Sequence, residues 1–464
     1  MQLQPVRSIE AIEDVRASLR GRDIVVIGAG RSGMATIRLL VDVGARLRLA
    51  DSKSREEMGE AAEEAEGLGA GVVPGFERLD QVEGADLVIS SPGIPWEHKA
   101  LIEARERGVE TFGALELAWR LCPSPVIAVT GTNGKGTVCR LLSDMFGRAG
   151  IRHILAGNIG CPLADELGAA SPETPAIVEV SSFQLETIVD FRPRVAVFLN
   201  LAPDHLDRHR TFAAYATAKA RIFENQRTDD VAVINVDDEP SRGLAEDSAA
   251  RKLRVSLETD SLDAGGRDGE FFVRTDGDVE IICPVTDLAL SGRHHMTNAL
   301  VAALIARITG AGVEAIAGAM RSYETPAHHM ERVDEIGGVE FINDSKASNP
   351  ASAVADLHSM ERPFVAIVGG KDKGADFGEL GGVLSSRARA VILIGEAADR
   401  IEAAMAGVAE RAGTLAEAVR RAYELSEPGG AVILGPACSS FDMFRSYEPR
   451  GEAFREVVAA LKKE

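Results

Sequence analysis

Two observations predict an α/β protein of three blocks with mostly parallel sheets. Short Val/Ile-rich runs alternate with longer Ala/Leu/Glu/Arg stretches along the whole chain, the rhythm of βαβ units. The length of 464 residues provides about three domains at about 150 residues each. The first block opens with the strand Asp23 to Ile27, the loop Gly28-Ala-Gly30-Arg31-Ser32-Gly33 and a helical pattern to about Val43. Strands at Ala45 to Ala50 and Ala85 to Ser90 follow, the latter stopped by Pro92-Gly93. The second block begins after Glu116, with a linker at Leu121 to Pro125 and a strand at Val126 to Val129. Its further strands are Ala176 to Val180, Val195 to Leu199 and Val231 to Ile234, then a Gly/Asp-rich β excursion over Leu253 to Asp287 and a helix over Asn298 to Thr309. The third block opens near Pro326, with strands at Phe364 to Val368, Ala390 to Ile394 and Ala431 to Leu434.

Composition narrows the function. Lys plus Arg is 51 against 71 Asp plus Glu, a net charge of −20, which disfavours general binding to nucleic acid or anionic membrane. Anionic ligands must then be captured by backbone donors and a few placed cations. The first 22 residues lack an apolar core and predict no signal peptide, and no run of about 18 apolar residues predicts a membrane span. Five scattered cysteines without CxxC spacing fit a reducing cytoplasm rather than a disulfide framework.

Phosphate-binding chemistry is written twice. Gly28-x-Gly30-x-x-Gly33 follows a strand and opens a helix, and Asp51 ends the next strand, where it could accept a ribose hydroxyl. The motif predicts a phosphate or nucleotide without selecting NAD. Gly131-Thr132-Asn133-Gly134-Lys135-Gly136-Thr137 also lies between strand and helix. Backbone N–H groups, a helix N-terminus and Lys135 would gather there on a triphosphate. Gly136 takes the place of the usual Mg²⁺-binding hydroxyl, leaving Thr137 to supply one.

Glu179, at a strand's C-terminal end beside that loop, is placed to hold Mg²⁺. Asn200 and Asp204-His205-x-Asp207-Arg208 follow the next strand similarly, so His205 is expected in a metal or phosphate role. On a helix from Phe212 to Phe223, Lys219 shares a face with Phe212, Tyr215, Ile222 and Phe223. A lysine directed inward has a lowered pKa and can react with carbon dioxide to give a carbamate; a lysine that snorkels to solvent is the alternative. Three loops at strand ends of the third block, Asn343 to Lys346, Gly369 to Lys373 and Gly435 to Asp442, predict a ligand crevice. Lys373 and Ser440 there suit a carboxylate. The pairs His294-His295 and His328-His329 have no Cys or carboxylate at ligand spacing, so no zinc site is expected at them. Cys438 is expected to pack rather than react.

These segments together resemble the Mur ligase family over essentially the whole chain. The resemblance rests on Gly131 to Lys135, Glu179 to Glu186, Asp204 to Arg208, Ala218-Lys219, Ile342 to Lys346 and Pro436 to Asp442. Ser181-Ser182-Phe183-Gln184, Pro-Ala-Cys-x-Ser-Phe-Asp, Ser90 to Ile94 and Gly157 to Gly160 are similar to the branch that adds D-glutamate. It implies a UDP-sugar-binding Rossmann-like domain at 1–114, a P-loop ATP-binding domain at 115–325 and a Rossmann-like amino-acid-binding domain at 326–464. The implied activity is ATP-dependent addition of D-glutamate to UDP-N-acetylmuramoyl-L-alanine through an acyl phosphate, in cytoplasmic peptidoglycan precursor synthesis.

The resemblance implies roles residue by residue. Lys135, Glu179, His205 and a carbamylated Lys219 would be catalytic. Two Mg²⁺ ions would be held by Thr137, Glu179, His205 and Lys219. ATP would meet the loop Gly131 to Thr137, with Asn298, His329 and Asp344. The UDP-sugar would meet Gly28, Arg31, Ser32, Gly33, Asp51, Ser52, Ser91, Pro92, Gly93, Asn158, Ser181 and Gln184. Lys346, Ser348, Lys373, Ser440 and Phe441 would hold the amino acid. A monomer without nucleic-acid or membrane partners is implied. The chain departs from the family at Gly136, at His329 in place of an arginine and at His295 in place of an asparagine. The rival readings are a folylpolyglutamate synthase-like enzyme, a sibling Mur ligase, or a nucleotide-binding protein without catalysis.

Overall fold

In the computed structural model, residues 3–275, 277–289, 292–325, 327–407 and 409–463 are described. Pro326, the expected start of the third block, lies outside them. They build three sheets. The first has β1 Asp23–Ile27, β2 Arg46–Asp51, β3 Gly71–Pro74, β4 Leu87–Ser90 and β5 Glu110–Gly113, in the order β3-β2-β1-β4-β5. Its strands are all parallel. The side chains of β4 are all buried, as expected for strands covered on both faces. Ile24, Val26 and Ile89 enter one apolar core, and Val25, Ile27 and Val88 enter another.

The second sheet has β6 Val126–Thr130, β7 Ile154–Gly157, β8 Ala176–Glu179, β9 Val195–Phe198 and β10 Val231–Asn235. It continues with β11 Arg251–Ser256, β12 Ala264–Arg267, β13 Glu270–Thr275 and β14 Asp278–Pro284. The order is β14-β13-β12-β11-β10-β9-β6-β8-β7. The pairs β12–β13 and β13–β14 are antiparallel and the others parallel, so the expected β excursion is an appended meander. Fully buried Glu116 accepts the N–H groups of Val189, Asp190 and Phe191 at 2.9–3.0 Å, satisfying a carboxylate that burial would otherwise penalise.

The third sheet has β15 Glu331–Ile336, β16 Val339–Asn343, β17 Phe364–Gly369, β18 Ala388–Ile394, β19 Glu410–Arg411 and β20 Ala431–Leu434, in the order β15-β16-β20-β17-β18-β19. β15 pairs antiparallel with β16, and the other pairs are parallel.

The chain packs as two compact units. One is Met1–Leu201, Ala216–Asp287 and Thr297–Arg321; the other is Ala202–Tyr215, Leu288–Met296 and Ser322–Glu464. His205, His294 and His295 therefore belong to the unit of the third sheet. No helix among the described residues is long and apolar enough to cross a membrane.

Candidate active site

Where the order of parallel strands reverses, a crevice is left beyond the strand ends. In the first sheet that crevice lies between β1 and β4. Gly28 has φ +99°, and a Cβ there would lie 2.9 Å from the Ser91 Cβ, so glycine is required. The Ser91 hydroxyl donates to the Gly28 carbonyl at 2.9 Å. The helix Arg31–Val43 starts at Gly30 without a side-chain cap, leaving its first N–H groups to a ligand. A cleft of about 420 Å³ gathers Gly28, Arg31, Ser32, Asp51, Ser52, Ser91, Pro92, Gly93, Asn158 and Gln184. Sequence reasoning missed Lys53, which also lines it and adds a cation.

Three of the expected residues also hold the local fold. A Cβ at Gly33 would lie 1.9 Å from the Gly28 carbonyl oxygen, so Gly33 serves loop–helix packing. Asp51, expected at a ribose hydroxyl, accepts the N–H groups of Ala29 at 2.7 Å and Lys53 at 3.0 Å on its carboxylate and so fixes the turn. Ser181 caps the short helix Ser182–Leu185 reciprocally with Gln184, which orients the glutamine that lines the cleft.

In the second sheet β6 lies between β8 and β9. The loop after β6 is held from β9's end. Asn200 accepts the Thr132 N–H on its carbonyl and the Asn133 N–H on its side chain, and donates back to the Asn133 carbonyl. Gly134 has φ +82°, and a Cβ there would lie 2.5 Å from the Asn298 amide oxygen, so Asn298 packs directly on the loop. The helix Lys135–Arg148 buries Gly136 and Thr137 in its first turn. Lys135 donates to the carbonyls of Gly131 at 3.0 Å and Thr132 at 2.7 Å.

Glu179 ends β8 and is buried. Asn158 donates its side-chain amide to a Glu179 oxygen at 2.8 Å and its backbone N–H to the Glu179 carbonyl. Asn158 thus joins the first cleft to the P-loop crevice. Lys219 is 2% exposed, which removes the snorkelling alternative. Its amine donates to the Gly131 carbonyl at 2.6 Å. The expected helix is Phe212–Ala220, continued by a tighter turn at Arg221–Phe223. The Arg221 guanidinium anchors that turn to the carbonyls of Leu185, Glu186 and Ile188.

The second unit carries the remaining expected residues. His205 stands in a left-handed conformation at φ 53°, and its N–H donates to Asp204. The same carboxylate lies 3.7 Å from the Lys373 ammonium and accepts from Asn349. A small crevice gathers Ser348 and Lys373 but not Lys346, Ser440 or Phe441. Ser440 is buried, and Phe441 is 65% exposed. Arg450, which sequence reasoning missed, is buried and donates to both Ser345 oxygens and the Cys438 carbonyl. It ties the loops after β16 and β20 together, and burial pushes its guanidinium down to about 10. Burial pushes the Cys438 thiol up to about 12, as a packing cysteine requires.

The histidine pairs depart from expectation, because carboxylates distant in sequence reach them. One group is His294, His295 and Asp356, and another is His329, Asp344 and Asp356, each with ligand atoms within 4.8 Å of one another. Burial lowers the imidazolium pKa of His295 to about 3 and of His329 to about 4. Burial and neighbouring Asp356 raise Asp344 well above the carboxylate range. Burial opposes ionisation of Asp356, but His294 and the other two histidines outweigh it and keep Asp356 low.

Family matches fall on the same three sheets. The MurD-like N-terminal domain of Mur ligases matches residues 22–113, the Mur ligase middle domain 129–306, and the Mur ligase glutamate ligase domain 328–438. The UDP-N-acetylmuramoylalanine--D-glutamate ligase of Thermoanaerobacter sp. (strain X514) is 38% identical over 453 residues, covering 96% of this chain and 100% of its own. Its counterpart in Desulfosudis oleivorans is 42% identical over 449 residues, covering 95% and 97%. In fold, the chain is similar to MurF from Acinetobacter baumannii, with TM-score 0.63 and 15% identity over 98% of this chain and 100% of that one. A pseudomurein peptide ligase type C from Methanothermus fervidus gives TM-score 0.59 and 20% identity over 95% and 100%. With three consecutive domain matches and relatives similar along nearly their whole length, the chain belongs to the Mur ligase family.

Proposed function

We propose that this protein is an ATP-dependent amide ligase that adds D-glutamate to UDP-N-acetylmuramoyl-L-alanine. The observation that carries this reading is Asn158, which lines the first cleft and holds Glu179 beside the P-loop. A UDP-sugar in that cleft would present its carboxylate toward the ATP crevice. The domains of this reading run 1–114, 115–325 and 326–464, and the enzyme works as a cytoplasmic monomer.

A carboxylate is a poor acyl donor because oxide is its leaving group. The reaction therefore moves the γ-phosphoryl of ATP to the carboxylate, giving ADP and an acyl phosphate. The D-glutamate amine then attacks the carbonyl carbon, the bond to the phosphate oxygen breaks, and an amide and inorganic phosphate result. Lys135 and the N–H groups of the loop other than those of Thr132 and Asn133, which Asn200 takes, hold the phosphates and offset their charge. Thr137 and Glu179 are hard oxygen donors and fit Mg²⁺, which would supply further charge neutralisation when bound. Lys219, buried against Gly131, is the residue for a carbamate, which would give it carboxylate-like oxygens for an ion. Asn298, His329 and Asp344 serve ATP. His205 would help hold the metal and take up the amine proton, and Lys346, Ser348, Lys373, Ser440 and Phe441 hold the glutamate.

Phosphate release from Mg-ATP and UDP-N-acetylmuramoyl-L-alanine, with D-glutamate, L-glutamate or neither, tests the reading. Release that requires D-glutamate supports it. Release only with L-glutamate overturns the stereochemical assignment, and release only with a folate acceptor overturns the substrate.

A further inference from the structure

We propose that His294, His295 and Asp356 form a binding site for one divalent ion of the zinc class. The Nε2 of His294 and Oδ1 of Asp356 face each other at 3.1 Å without the alignment of a hydrogen bond. The Nδ1 of His295 is also buried without a hydrogen-bond partner among the described residues. His295 is 3% exposed and Asp356 2%. His294 Nε2 and Asp356 Oδ1 meet only as an ion pair, His295 Nδ1 is left unsatisfied at a cost, and the ligand atoms of these three residues lie within 4.8 Å of one another. One ion satisfies all of them.

The spacing fits such an ion. Bonds of about 2.0–2.1 Å in tetrahedral geometry place ligand atoms about 3.3 Å apart. The 3.1 Å pair lies near that value, and all three donors lie within 4.8 Å of one another. Two imidazoles and one carboxylate favour zinc over Mg²⁺, which prefers oxygen. The imidazole rings of His294 and His295 have centroids 4.0 Å apart, so one ion can reach both. Three protein ligands leave a coordination position open. His295 lines a cleft of about 530 Å³ together with Tyr323, Met330 and Arg332, which can supply water or a ligand atom there. Asp356 also faces His329 and Asp344, which hold its carboxylate in place.

The test of the site uses neither ATP nor the proposed reaction, although His329 and Asp344, which face Asp356, are the residues proposed above to serve ATP. The full chain, stripped by a chelator, is equilibrated with Zn²⁺ under excess Mg²⁺ and its zinc counted by elemental analysis. The expected result is about one zinc per chain in the wild type. In His295→Asn and His294→Gln the affinity falls by more than about 100-fold, beyond the loss caused by removing an outer hydrogen bond. Co²⁺ in the same site should give the visible bands of a tetrahedral ion. No retained zinc in the wild type, or wild-type zinc in both variants, overturns the site and leaves a buried His–Asp ion pair only. Should the variants fail to fold, X-ray absorption of the zinc-loaded wild type decides. Two imidazoles in the first coordination sphere support the site, and an all-oxygen sphere overturns it.

Discussion

Lys219 lies out of bulk water against the Gly131 carbonyl, where the proposed reading places a carbamate. Lys219→Ala should abolish phosphate release, and acetate or another short carboxylate should restore part of it. Full activity in the variant without added carboxylate would contradict the carbamate. Gly134 sits on the other side of the same loop chemistry. At φ +82°, with Asn298 at 2.5 Å from a Cβ, Gly134→Ala combines backbone strain of about 1–2 kcal/mol with a clash. ATP binding measured by calorimetry should weaken by about tenfold or more; unchanged affinity would show that the loop relaxes freely.

At the scale of elements, the ligand loops are held by residues outside them. Arg450, on the helix Tyr447–Leu461, bonds Ser345 and the Cys438 carbonyl. Arg450→Met leaves those acceptors buried and unsatisfied, at about 1–3 kcal/mol each. Thermal unfolding should occur at lower temperature, and the KM for the amino acid should rise more than kcat falls. Equal loss of kcat with unchanged KM would contradict a role in positioning that pocket. The strands before Gly28, Gly131 and Gly435 are legible in the sequence because an apolar run meets a glycine-rich loop. β3 and β5 hold no run of more than two apolar residues, and β3 is half exposed. The P-loop, Glu179 and buried Lys219 are legible from motif and helical spacing. Asp356 sits mid-helix in Pro350–Ser359 without a motif, so its approach to His294 and His295 emerges only when the third sheet's unit folds.

At the scale of the whole molecule, burial decides which thiols react. Cys122, Cys139, Cys283 and Cys438 are buried and Cys161 is exposed; burial raises Cys122 to about 11 and Cys438 to about 12. A thiol reagent at neutral pH should label Cys161 alone rapidly in the native chain and all five cysteines in denaturant. Rapid labelling of Cys438 would show that its loop opens. In the proposed reaction the nucleotide-sugar, ATP and glutamate all act on one carboxyl carbon. Oxygen-18 placed in the carboxylate of UDP-N-acetylmuramoyl-L-alanine tests this most directly. Transfer of one labelled oxygen to the released phosphate, dependent on D-glutamate, is the predicted result. Phosphate released without label would contradict the acyl phosphate.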